Sequence, residues 1–238
     1  MKCRFVEVAS LLLLTAGCVG LSRVGAQSAV LASTTSAAAQ VRSGAEIFHE
    51  CLNCHSKQDG IQRAPRIDGL PAWYVEQQLN KFKQGIRGGD PENKSEALMA
   101  SIFQGTPLLK NDAEFNVVAE YVASLTPLSH PKVVRGNAAL GKLAYPSCVP
   151  CHGDRAQGNP ALKAPPLDVQ EDGYLLQWLQ LIKNGDRGNH ADDIEAKLMR
   201  AAIGGVEVTN FPHIVRYIAD ELARTNATIS PPVKPAQP

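Results

Sequence analysis

The segment "PAWYVEQQLNKFKQG" places Trp73, Val75, Leu79 and Phe82 at helical spacing and stops at Gly85, a residue that commonly ends helices. "AEFNVVAEYVASL" repeats the pattern with Phe115, Val118, Val122 and Leu125 apolar. Further along, "GYLLQWLQLIKNG" and "PHIVRYIADELAR" carry the same periodicity, and "SGAEIFHECLNCHS" predicts a shorter helix. No stretch alternates apolar and polar residues as a half-buried strand would. The pattern predicts an all-α protein.

These helices come in two sets. "GAEIFHECLNCH" aligns with "GKLAYPSCVPCH" at an offset of 97, pairing Gly44 with Gly141, Phe48 with Tyr145 and Cys51 with Cys148. The offset then becomes 100, where Ala64-Pro65 matches Ala164-Pro165, Tyr74 matches Tyr174 and Leu79 matches Leu179. "KQGIRGG" matches "KNGDRGN" through Arg87 and Arg187, and "ALMASI" matches "KLMRAAI" through Met99 and Met199. So many landmarks in one order indicate a tandem duplication. The expected domains are residues 41–126 and 137–225, joined by a proline-bearing linker at 127–136. Residues 226–238, "SPPVKPAQP" and its flank, read as a disordered tail.

The N-terminus is different in kind. Residues 1–26 open with Lys2 and Arg4, run apolar through "LLLL" and end in small residues, the layout of a secretory signal. "VGA" before Gln27 fits ordinary cleavage. "TAGC" ending at Cys18 resembles a lipoprotein processing site and would give a lipid-tethered form. Either route exports the chain, with the periplasm as the expected location. No other apolar run approaches the ~20 residues of a membrane span. With 24 Lys+Arg against 23 Asp+Glu and no basic run, nucleic-acid binding is not expected.

Export changes how the six cysteines are read. Cys3 and Cys18 belong to the leader region, so four remain: Cys51, Cys54, Cys148 and Cys151. They form two copies of C-x-x-C-H, "CLNCH" and "CVPCH". A disulfide framework has no need of the following histidine. Zinc sites usually hold their cysteine pairs 15 to 20 residues apart, whereas 93 residues separate Cys54 from Cys148. A dithiol oxidoreductase would expect a βαβ scaffold. Covalent haem c explains the spacing: cysteines at i and i+3 share one side of a helical turn and can reach two vinyl groups of one porphyrin. His55 and His152 then project toward the iron. Two covalently bound haem c groups are expected.

The sixth iron ligand is suggested by composition. Of three methionines, Met1 lies in the leader, and Met99 and Met199 occupy equivalent repeat positions. A lone methionine is usually core filler; one per motif and none elsewhere predicts His55/Met99 and His152/Met199 as axial pairs. The other histidines, His49, His130, His190 and His213, have no counterparts in the opposite repeat and read as surface or loop residues. The carbonyls of Pro65 and Pro165 are candidates to hold the second ring nitrogen of each motif histidine. Trp73, Tyr74, Tyr174 and Trp178 are candidates for the haem edges or for plain core. Arg87 and Arg187 are candidates for the haem propionates.

Taken together, two C-x-x-C-H motifs, an "AP-x-[IL]" after each, a Tyr-bearing helix ending "K-x-G-x-R-G" and a downstream Met resemble the diheme cytochrome c4 family. The resemblance covers nearly all of the chain beyond the leader. It implies two class I cytochrome c domains, each wrapped round one covalent haem, facing each other with their propionates close. It also implies single-electron transfer between a membrane respiratory complex and a terminal oxidase or reductase. The segment "GGVEVTNFPH" after Met199 departs from the family pattern. The expected function is therefore an electron carrier, not an enzyme, with redox proteins as partners. Membrane association would come through a partner or a lipidated Cys18. The alternatives are a diheme subunit of a dehydrogenase, similar to that of flavocytochrome c sulfide dehydrogenases, and a catalytic diheme protein such as a peroxidase or thiosulfate dehydrogenase.

Overall fold

The computed structural model describes residues 41–55, 64–90, 93–104, 108–129 and 131–223. The leader with Cys18, His130 and the C-terminal tail lie outside the described residues. Those residues carry nine α-helices and, apart from one bridge between Asn159 and Ala164, no extended pairing.

The first repeat holds α1 (Gly44–His55), α2 (Ala72–Lys83), α3 (Lys94–Gln104) and α4 (Asp112–Ser124). The face of α2 read from the sequence points inward, with Val75 and Phe82 buried. Its C-cap is Gln84, and Gly85 follows at φ +71°, the left-handed position where glycine carries no Cβ penalty. Asn111 starts α4, its side chain accepting from the backbone N–H of Glu114. Ile47, Phe48, Leu70, Phe115, Val118 and Val122 close the core between α1, α2 and α4.

The second repeat holds α5 (Ala138–Ala144), α6 (Val149–His152), α7 (Asp172–Asn184), α8 (Ile194–Ala202) and α9 (Phe211–Tyr217). One difference between the repeats is local. The single helix α1 becomes α5, a 3-10 turn at Tyr145–Ser147 and the short α6, because Pro146 and Pro150 remove N–H donors that a continuous helix needs. Another lies at the end, where α9 runs on into a π-helical turn at Ile218–Leu222.

Glycine brings the terminal helices of each repeat together. A Cβ on Gly44 would lie 2.5 Å from both Tyr121 Cβ and the Val117 carbonyl of α4. A Cβ on Gly141 would collide with the His213 carbonyl and meet Tyr217 Cβ at 2.8 Å. The aligned glycines thus permit the same close crossing twice, α1 on α4 and α5 on α9.

The sequence pattern did not single out α3 and α8 as helices. Each carries one of the two methionines. In α8 only Ala196 is fully buried, while Ile194 and Leu198 are more than half exposed.

Candidate functional site

In the first repeat α1 ends on the motif, with Cys51, Cys54 and His55 in its last turn. The chain comes back through Ala64 to Ile67, and the Pro65 carbonyl lies 2.5 Å from His55 Nδ1. In the second repeat the Pro165 carbonyl lies 2.9 Å from His152 Nδ1. Both expected proline contacts are present. Burial lowers the pKa of each imidazole, opposed by its prolyl carbonyl. A neutral ring that donates from Nδ1 presents the Nε2 lone pair to a metal.

The first thiol of each motif is disfavoured as a thiolate. Burial, then the neighbouring Glu50, pushes Cys51 up to about 11, and burial also raises Cys148. Redox-active and zinc-binding cysteines need a stabilised thiolate. Thioether formation leaves no charge to bury.

An apolar cavity, partly open to solvent, is lined by Cys51, Cys54, His55, Pro65 and Met99. Leu70, Val75, Phe82, Val118 and Val122 form its apolar walls, and Tyr174, Trp178 and Arg187 reach it from the second repeat. In that repeat, half-buried Met199 packs against the cluster of Ile182, Ala196, Ile203 and Phe211. Cys148 packs on a neighbouring cluster built on Tyr145, Leu175 and Ile214. Leu176 and Leu179 border both, so the second motif and its methionine share flanking leucines.

The duplicated arginines meet a partner that sequence reasoning missed. Arg87 Nη2 lies 2.5 Å and Arg187 Nη1 2.9 Å from the same atom, Glu96 Oε1. Arg187 stacks over the Trp178 ring at 3.0 Å, and Arg87 over Phe82 at 4.3 Å. Burial, and then Arg87, pulls Arg187 down to about 10. Glu96 is lowered although burial opposes this, because both arginines favour its carboxylate. Burial, then Tyr174, pushes Tyr74 up to about 12. The Nε atoms of Arg87 and Arg187 remain buried without a hydrogen-bond partner. A porphyrin would fill the apolar cavity, and its two carboxylates suit these orphaned donors. Haem c fits the residues present.

Of the remaining histidines, His49 and His190 are exposed, and His213 Nδ1 accepts from the Asn137 N–H at 3.0 Å. Two lysines also escaped sequence reasoning. Lys183 Nζ donates to the carbonyls of Ile203, Gly204 and Val206 at 3.2, 2.7 and 3.0 Å, pinning the unusual segment after Met199. Lys81 Nζ lies 2.6 Å from both Asp193 Oδ1 and Glu195 Oε2 across the repeats.

Residues 41–126 match the family model described as cytochrome c. That stretch carries the first C-x-x-C-H motif together with Met99. It is 27% identical over 210 residues to a cytochrome c4 of Azotobacter vinelandii, covering 83% of this chain and 91% of that one. It is 29% identical over 165 residues to a thiosulfate dehydrogenase electron acceptor of Stutzerimonas stutzeri (strain A1501), covering 63% and 71%. The solved cytochrome c4 of Acidithiobacillus ferrooxidans superposes with a TM-score of 0.55 at 24% identity, covering 72% of this chain and 98% of that one. The last match shows the fold alone, the all-α class I cytochrome c fold. The cytochrome c match at residues 41–126 and the cytochrome c4 relative support an electron-transfer c-type cytochrome with covalently bound haem c. Among the described residues no helix is long and apolar enough to cross a membrane.

Proposed function

We propose that the chain is a periplasmic diheme electron carrier. One haem is held by thioethers to Cys51 and Cys54 and by His55 and Met99; the other is held by Cys148, Cys151, His152 and Met199. Residues 41–126 and 137–225 form the two domains. The observation that carries this reading is the duplicated histidine geometry, Nδ1 on a prolyl carbonyl at 2.5 Å for His55 and 2.9 Å for His152. Met99 in one cavity with Cys51, Cys54 and His55 supports it.

Bound haem supplies the one-electron iron couple. The protein's residues orient and tune it. Pro65 and Pro165 fix which imidazole nitrogen faces inward. A thioether favours ferrous iron and raises the reduction potential, which suits delivery to an oxidase-like acceptor. Apolar walls limit water at the centre, and His55 with Met99 and His152 with Met199 would hold the irons through nitrogen and sulfur.

Haem staining after denaturing electrophoresis, together with a mass two haems above the polypeptide, tests the cofactor count. Two sulfur-to-iron bands' worth of near-infrared intensity in the ferric state, with ferrous protein inert to carbon monoxide, tests the ligands. One haem, or ready carbon monoxide binding, overturns the reading. A second reading is a dedicated electron acceptor for a dehydrogenase, motivated by the relative named for thiosulfate dehydrogenase. A stoichiometric dehydrogenase retained on native purification would favour it over a mobile carrier.

A further inference from the structure

We infer that Lys81, a residue of the first repeat, is a positioning residue for Met199 of the second. This rests on the reading of Met199 as an iron ligand.

Helix α8 is held to its own repeat mainly toward its C-terminal end, where Arg200 Nη2 donates to the carbonyls of Gly185 and Arg187 and to Asn189 Oδ1. It spans nine residues, buries only Ala196 fully and leaves Ile194 55% and Leu198 63% exposed. A helix this short is marginal without tertiary support. Lys183 secures the segment that follows it, but the N-terminal end is held from the other repeat. Lys81 Nζ lies 2.6 Å from Asp193, the N-cap residue, and 2.6 Å from Glu195 in the first turn. One turn earlier on α2, Gln77 Nε2 donates to the second oxygen of Glu195 at 2.8 Å. Lys81 is 8% exposed and Asp193 2%, so water screens the contact weakly. Met199 stands one helical turn beyond Glu195. Without Lys81 the two carboxylates would repel each other at the helix start, with no cation between them.

The consequence reaches the iron because a neutral thioether is a weak ligand, so its bond depends on where the helix places the sulfur. The opposite repeat shows the mirror arrangement. Met99 lies three residues beyond Glu96, which accepts from Arg187 of the second repeat. Each methionine-bearing helix is thus tied at its first turn to the other half of the molecule.

The test uses the full chain with both haems attached. In a Met99→His background, the near-infrared sulfur band reports Met199 alone; absence of the band there would overturn the ligand assignment itself. Adding Lys81→Met should abolish at least half of that band and let the ferrous protein bind carbon monoxide at one haem per chain. Lys81→Arg, which keeps a cation between the carboxylates, should restore the band. In a Met199→His background, Lys81→Met should leave the Met99 band unchanged, although Lys81 belongs to the same repeat as Met99. An intact Met199 band after Lys81→Met overturns the inference. So does equal loss at both methionines, or loss of helical circular dichroism, since either would make Lys81 a general stabiliser.

Discussion

Arg187 of the second repeat meets Glu96 of the first at 2.9 Å, with the arginine side chain 3% and the glutamate side chain 10% exposed. Because Arg87 shares the same carboxylate oxygen, one anion bridges two buried cations and offsets their mutual repulsion. Glu96→Gln should therefore destabilise the haem-loaded protein by about 3 kcal/mol, the order seen when one member of a buried ion group is removed. Denaturant unfolding of the variant checks this. The loss should shrink when Arg187 is also replaced by leucine, because the repulsion goes with it.

Glu114 should contribute to acid sensitivity. Hydrogen bonds from Arg42, at 2.9 and 2.8 Å, and from the Lys110 N–H hold its carboxyl down to about 2, against an ordinary 4.5. A carboxylate with a lowered folded-state pKa contributes fully above its unfolded value and loses that contribution as pH falls through the folded one. Stability should thus decline between pH 4.5 and about 2. Glu114→Gln should be less stable above that window and show a flatter decline within it, followed as denaturant midpoint against pH.

Gly141→Ala should destabilise, although alanine is the better helix former. Propensity favours alanine by about 1 kcal/mol. The added Cβ, however, would press on the His213 carbonyl and Tyr217 where α5 crosses α9. Overpacking of about 2 kcal/mol or more should win. Thermal unfolding distinguishes the signs, and Gly44→Ala should behave alike.

Lys183→Met should loosen the segment from Ile203 to Val206 and leave distant helices alone. Three carbonyls lose one ammonium. A local cost of about 2 kcal/mol corresponds to roughly 30-fold faster hydrogen exchange there. Unchanged exchange would show that the segment is held by packing of Ile203 and Phe211 instead.

Much of the fold was legible because the core-facing side chains of α2, α4 and α7 recur at helical spacing. The motif histidines and their prolyl partners were legible because both copies keep the same order. The parts that escaped had physical reasons to escape. In α8 two apolar residues face outward, so its pattern does not mark a core. The break at Pro146 exists in one repeat only. Glu96 aligns with Ala196 and Lys81 with Leu181, so comparison of the repeats had nothing to match at either position. Contacts such as Glu96 to Arg187 join residues far apart in the chain, and spacing carries no trace of them.

That mismatch bears on the history of the molecule. Two copies of the first repeat would set Lys81 against Asn93 and Ser95, the counterparts of Asp193 and Glu195, and would replace Trp178 with Gln78. Two copies of the second would set Leu181 against the carboxylates and lack Glu96 altogether. The repeats' symmetry has given way to a division of labour, with cation and anion of each pair on opposite sides of the seam.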